Sequence, residues 1–221
     1  MTLHSPNGCA ALCRTVRTVR DAGTLVGELF RPALPPGAHL GRLAELGCGP
    51  YTYSYSFLRA RHDLDASVIT LLDPGIPTYL ANGFATFANG TLRAGRGPIE
   101  VELLPMGAEE LPSSCSGAYD TLIFINVLEH TFNAFATLYQ AFRLLRPGGL
   151  LLLKERIVSP QAFHQVYHPV RLHTAFYERF FAEHFDAIVR NDTCLRGVCK
   201  MFVEREIAFA GRKKKHHAWA A

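Results

Sequence analysis

Between residues 40 and 154, short apolar segments recur at intervals filled by helical patterns, and this alternation constrains the chain more than any other feature. Leu40 to Leu46, Ser67 to Leu72, Ile99 to Leu104, Tyr119 to Ile125 and Leu150 to Lys154 read as five strands. The second, Ser-Val-Ile-Thr-Leu-Leu, is apolar on both faces. Tyr53 to Arg61 and Phe132 to Leu145 read as helices between them. Strands buried on both faces and separated by helices require a parallel sheet covered on both sides. The expected fold is therefore α/β: a Rossmann-like, doubly wound sheet, mostly parallel, with helices on both faces. Val170, Leu172, Phe176, Phe180, Phe181 and Phe185 recur near helical spacing and predict a further helix over Pro169 to Phe185. Ala187 to Val189 and Lys200 to Ala210 follow as two strands, close enough in sequence to form an antiparallel hairpin at the sheet edge.

Outside this frame, residues from about 10 to 30 read as a helix lying on the domain. The prolines of Arg31-Pro32-Ala33-Leu34-Pro35-Pro36-Gly37 end it. Pro74, Gly75 and Pro77 break the pattern after the second strand. The organisation expected is an N-terminal helix and connecting loop (1–38), one folded domain (39–210) and a basic, solvated tail (211–221).

Composition narrows the class. With 48% hydrophobic and 19% charged residues, the chain has enough apolar material to offset its conformational entropy, which excludes a disordered or fibrous protein. Unbroken apolar runs are only a few residues long, as at Leu150 to Leu153, far short of the roughly 20 a membrane-spanning helix needs. Arg14, Arg17 and Arg20 interrupt the N-terminal segment, which lacks the pattern of a secretory signal. A cytoplasmic location is expected, with a transit-type leader left open.

Arg212, Lys213, Lys214 and Lys215 account for the whole net charge of +4, leaving the body neutral. A neutral body argues against a phosphate-tracking surface, and so against nucleic acid as partner. Cysteines at 9, 13, 48, 115, 194 and 199 show no CxxC spacing, and six reduced thiols are expected.

In an open parallel sheet, ligands bind outside the carboxyl ends of the strands. The first strand ends in Glu45-Leu46-Gly47-Cys48-Gly49-Pro50-Tyr51, an acidic residue followed by a glycine-rich turn into a helix. Gly47 and Gly49 would let a ligand approach the backbone closely, since no Cβ intervenes. The second strand ends in Asp73, a carboxylate positioned to accept two hydrogen bonds from a ribose diol.

At these residues the chain resembles the class I S-adenosylmethionine-dependent methyltransferases, in particular the small single-domain kind called methyltransferase type 11. Glu45-Leu46-Gly47-Cys48-Gly49 is similar to the family's first motif, Asp73 to its ribose-binding acid, and Gly107-Ala108-Glu109-Glu110-Leu111-Pro112 to its adenine loop. Asp120 through Asn126-Val127-Leu128-Glu129-His130 is similar to the fourth-strand motif. Leu144-Leu145-Arg146-Pro147-Gly148-Gly149-Leu150 resembles the turn that introduces the fifth strand. These matches occur in the family's order over about residues 43–155.

The resemblance implies S-adenosyl-L-methionine as cofactor, held by Glu45, Gly47, Cys48, Gly49, Asp73, Gly107, Ala108, Glu109 and Asn126, with Glu45 either orienting the loop or reaching the ammonium through water. Two departures stand out. Tyr51 replaces the first motif's usual third glycine and should narrow the pocket or cover the methionine end. Gly107 stands where an acidic residue is often found, removing one acceptor for the adenine amino group.

Methyl transfer by in-line displacement is accelerated chiefly by positioning, so few catalytic side chains are needed. An oxygen or nitrogen acceptor of high pKa still benefits from a general base. His130 and His168 are the candidates, with Arg171 a possible substrate contact and His164 and His173 read as solvated. Asn126-x-x-Glu129-His130 resembles a metal site of some methyltransferases but carries Asn at the first ligand position, so no metal is expected. The Tyr51, Tyr53, Tyr55 alternation reads as packing and covering the helix that follows.

The function expected is methyl transfer to an oxygen, nitrogen or carbon of a small-molecule acceptor. Alternatives are a protein or RNA methyltransferase anchored by Lys213-Lys214-Lys215-His216-His217, and a non-catalytic cofactor- or partner-binding module. A nicotinamide dehydrogenase is the weakest, since Gly47-Cys48-Gly49-Pro50-Tyr51-Thr52 lacks the third fingerprint glycine.

Overall fold

Successive residues of the central strands feed two separate apolar cores, one on each face of a single sheet. A computed structural model describes residues 27–94, 97–158, 172–194 and 203–215. The strands are β1 (Arg42–Leu46), β2 (Val68–Leu72), β3 (Gly90–Ala94), β4 (Gly97–Leu104), β5 (Tyr119–Ile125), β6 (Leu145–Val158), β7 (Phe185–Cys194) and β8 (Val203–Lys213). Their order in the sheet is β3-β4-β2-β1-β5-β6-β8-β7. The five strands from β4 to β6 in that order run parallel, while β3, β8 and β7 join antiparallel.

Leu43, Ile69, Leu71, Ile123, Ile125, Leu150 and Leu152 pack on one face with Phe57 and Leu58 of α1 (Tyr53–Ala60) and Ile76 of α2 (Ile76–Ala81). Their neighbours Ala44, Leu46, Leu122, Phe124, Leu151 and Leu153 pack on the other, against α3 (Ala134–Leu144) and α4 (Thr174–His184). The period of two along each strand thus supplies both layers. Asn133 caps α3 by accepting from the Ala136 amide at 3.0 Å. Phe181 of α4 stacks on Phe209 of β8 with ring centroids 3.8 Å apart. No helix among the described residues is long and apolar enough to cross a membrane.

Several expectations are corrected. α2 forms where Pro74, Gly75 and Pro77 were read as a break. Pro77 lies in the helix's first turn, whose amides need no intrahelical partner. β3, a polar strand beginning at Gly90, pairs with β4 and was not anticipated. The turn introducing the strand after α3 is a bulged extension of β6, with register shifting between Tyr119 and Thr121 opposite Leu145 and Leu150.

The C-terminal strands form the expected antiparallel hairpin at the sheet edge, with β8 against β6 and β7 outermost. The solvated tail, however, does not begin at 211. Lys213 ends β8, is buried, and donates to the carbonyls of Phe142 and Leu145 at 2.6 and 2.7 Å, with its ammonium 4.1 Å from the Phe142 ring centroid. Those carbonyls lie at the end of α3, where a cation meets unsatisfied acceptors. Of the N-terminal helix expected over 10 to 30, only a turn at 27–29 falls within the described residues.

Candidate active site

The chain runs from β1 outward through β2 to β4 and β3, then returns to β5 on the other side of β1, so adjacent loops diverge where β1 meets β5. A crevice of about 1020 Å³ opens at the carboxyl ends of these strands.

Glu45 is the last but one residue of β1 and is buried. Its Oε1 accepts from the Tyr53 amide at 2.7 Å, and its Oε2 from the Ser54 amide at 2.9 Å and the Thr52 and Ser54 hydroxyls at 2.5 Å. Burial raises its carboxyl above the ordinary range against the pull of these donors. Both oxygens are consumed in fixing the start of α1, and Glu45 does not line the crevice. It holds the loop from beneath the crevice.

That loop turns at Gly47 (φ 64°) and Gly49 (φ 56°), both in the left-handed region. A Cβ on Gly47 would lie 2.7 Å from Val127 Cγ1, whereas one on Gly49 would meet nothing within 4 Å. Gly47 is therefore required by packing against the loop after β5, and Gly49 alone faces open space. The Cys48 thiol between them is buried, and that burial pushes it far up; it is an inert lining group.

Beside this turn, Asp73 follows β2. Its Oδ2 accepts from the Gly49 amide at 2.9 Å and its Oδ1 from the Gly75 amide at 2.7 Å, so one carboxylate ties two glycine turns together. Gly107, Ala108 and Glu109 form a third wall, with the Gly107 amide donating to Glu110 Oε2 at 2.5 Å.

The fourth wall comes from the loop after β5. Asn126 has φ 54°, a left-handed conformation for a residue with a side chain, and its Oδ1 is buried without a hydrogen-bond partner among the described residues. Glu155, fully buried on β6, holds the next turn by accepting from the Val127 and Leu128 amides at 2.9 and 3.3 Å. Burial pushes its carboxyl up to about 8, with the nearby Glu129 adding to the rise. His130 lines the crevice, with its Nε2 3.7 Å from the buried Glu129 Oε1. No group of three or more metal-ligating side chains occurs among the described residues.

The structure thus brings Gly47, Cys48, Gly49, Asp73, Gly107, Ala108, Glu109, Asn126 and His130 to one crevice and leaves Glu45 beneath it. His168, with His164 and Arg171, lies outside the described residues, while His173 caps α4 by accepting from the Ala175 amide at 3.2 Å. Of the tyrosines, Tyr51 and Tyr53 line the crevice and Tyr55 packs in the core. Sequence reasoning missed Tyr79 and Phe132 on the crevice wall and Glu155 behind it. A carboxylate following the apolar run Leu150 to Leu153 was the available signal for Glu155.

No family model matches the chain. A tRNA U34 carboxymethyltransferase of Methylococcus capsulatus is 29% identical over 124 residues, covering 55% of this chain and 34% of that protein. The chain thus spans about a third of the length of this curated relative.

Among solved structures, the N-methyltransferase NodS of Bradyrhizobium japonicum, crystallised with S-adenosyl-L-homocysteine, matches with a TM-score of 0.59 at 12% identity. The match covers 88% of this chain and 86% of that one. The 1,6-didemethyltoxoflavin-N1-methyltransferase of Burkholderia thailandensis, with its namesake compound and S-adenosylhomocysteine bound, matches with a TM-score of 0.54 at 15% identity. Coverage is 97% and 92%. The cyclase SpnF matches with a TM-score of 0.58 at 16% identity, covering 88% and 80%.

Proposed function

From a chain with the fold of the class I S-adenosylmethionine-dependent methyltransferases, we propose that this protein moves a methyl group from S-adenosyl-L-methionine to a small-molecule acceptor. The observation that carries the reading is the Gly49 turn bonded to Asp73 on the wall of a crevice at the point where the strand order reverses.

The residues fit the cofactor. Gly49 leaves space that a Cβ would enter, Asp73 offers a carboxylate to the ribose hydroxyls, and Asn126 Oδ1 is a buried acceptor still in need of a donor. Gly47, Cys48 and Gly49 would hold the methionine end, and Gly107, Ala108 and Glu109 the adenine. Glu45 acts from below by fixing the start of α1. Bound there, S-adenosylmethionine supplies a sulfonium methyl open to in-line displacement. His130 accepts the proton that an oxygen or nitrogen acceptor gives up, with its Nε2 3.7 Å from the buried Glu129 Oε1.

A small acceptor is favoured over a phosphate-rich one by the crevice's charge. Asp73, Glu109 and Glu110 line it, and no Lys or Arg does so among the described residues. An RNA acceptor is the second reading, favoured by the 124-residue match to the tRNA-directed relative. Calorimetry with S-adenosylmethionine, followed by a labelled methyl-transfer screen against a metabolite extract and bulk tRNA, tests both. Binding with label in a small metabolite supports the first reading, label in tRNA supports the second, and no binding overturns both.

A further inference from the structure

We propose that the crevice takes its methyl acceptor as a planar aromatic ring without negative charge, stacked against Tyr51 and Phe132. The inference rests on the methyl-transfer reading and names the substrate class of that site.

The crevice, at about 1020 Å³, exceeds the roughly 300–1,000 Å³ that encloses one drug-sized ligand, which leaves space beside a cofactor. The glycine turn, Asp73, Asn126 and the Gly107 loop are already assigned to that cofactor. Of the large apolar side chains exposed among the described residues, Tyr51 and Phe132 are the two that line the crevice, at 55% and 96% exposure. Folding gains nothing from a phenyl ring left in water.

The backbone on either side of each ring is fixed. The Thr86 amide donates to the Pro50 carbonyl at 2.9 Å, while the Thr52 hydroxyl and Tyr53 amide donate to Glu45. Thr52 has φ 21°, a strained value for a β-branched residue that the buried Glu45 maintains. The Thr131 amide and hydroxyl donate to the Leu128 carbonyl at 3.3 and 3.0 Å, and Asn133 caps α3, so Phe132 also lies between anchored neighbours. β1 and β5 are adjacent parallel strands, and the close packing of Gly47 on Val127 binds together the two loops that carry the rings. Both rings are thus presented on a rigid frame, and little ordering cost remains for a ligand that stacks on them.

Charge narrows the ligand further. Asp73, Glu109 and Glu110 line the same crevice with no Lys or Arg among the described residues, and the faces of aromatic rings are themselves negative. An anionic ring is disfavoured on both counts.

The test is equilibrium dialysis of the full chain saturated with S-adenosylhomocysteine, using three bicyclic probes: 2-naphthol, 2-naphthoate and the saturated decahydro-2-naphthol. The first should bind at least about fivefold tighter than the other two. Tyr51→Leu and Phe132→Leu, both at exposed positions, should each weaken 2-naphthol by about 2–12-fold, the equivalent of one aromatic pair, while Tyr51→Phe and Phe132→Tyr stay within about twofold of the parent. Equal binding of the saturated or the anionic probe, or parent affinity in either leucine variant, overturns the proposal and leaves the methyl-transfer reading standing. A dimer in sedimentation that Phe132→Leu dissociates would assign that ring to a second copy of the chain and overturn it likewise. If S-adenosylhomocysteine does not bind, the methyl-transfer reading falls and the acceptor assignment with it.

Discussion

Gly47 and Val127 are packed so closely that a Cβ on the glycine would sit 2.7 Å from a Val127 methyl. The turn after β1 and the loop after β5 are thereby locked to each other before any ligand is considered. Gly47→Ala should lower stability by roughly 1–3 kcal/mol through overpacking. Gly49→Ala should cost about 1 kcal/mol, from its positive φ alone. Urea denaturation of the two variants checks this ordering, and equal losses would refute it.

Removing the Asp73 carboxylate takes acceptors from two backbone amides and, on the proposed reading, from a ribose. Asp73→Ala should weaken S-adenosylmethionine binding by roughly 2–4 kcal/mol. Calorimetry reads this directly, and an unchanged affinity would remove the ribose assignment.

His130→Ala should slow the chemical step by about 10²–10⁴-fold while affinity for S-adenosylhomocysteine stays nearly constant. Single-turnover rates, measured alongside the melting temperature, separate a lost base from a lost fold. A full rate in a stable variant would leave the reaction without a base at this position.

Glu155 gives a pH signature. Its ordinary value is 4.5 and burial lifts it to about 8, so between these limits the folded protein holds a proton that the unfolded chain has released. Stability contributed by this group is present in full below about 4.5 and lost as pH rises through about 8. Glu155→Gln is neutral throughout and should flatten that decline by a few kcal/mol. Denaturation at about pH 5.5 and about pH 8.5 tests it; identical slopes in parent and variant would place Glu155 in an ordinary carboxylate range.

Lys213→Ala should destabilise the protein by roughly 1–3 kcal/mol, because the carbonyls of Phe142 and Leu145 lose their donor in a buried setting. A melting temperature equal to the parent's would show that water replaces the ammonium there.

β1, β2, β5 and β6 were legible as near-continuous apolar runs, and β4 by its alternation of Ile99, Val101 and Leu103 with Glu100 and Glu102. β5 has the bounds expected from sequence, and β1 and β2 start within two residues of theirs. β3 was hidden because an edge strand with Gly90 and Arg93 carries no such run, and α2 because a proline in a first turn reads as a break. At the site, the glycines, Asp73 and His130 stood out by their place at strand ends. Tyr79 did not, since its position depends on a missing Cβ at Gly75, and the two readings of Glu45, orienting the loop or reaching a ligand, stayed open because its donors come from Thr52, Tyr53 and Ser54 across a turn. Contacts of that kind arise only in three dimensions.

The interior position of β8 governs the order in which the molecule can be assembled during synthesis. Among the described residues β7 pairs with β8 and with no other strand, and β8 is the partner of the long β6 edge. Until Val203–Lys213 has left the ribosome, β7 has no neighbour to join and β6 presents an open row of amides and carbonyls. The half carrying the crevice can form early. The seam on the far side closes last, and the nascent chain is exposed to strand-pairing errors throughout that interval.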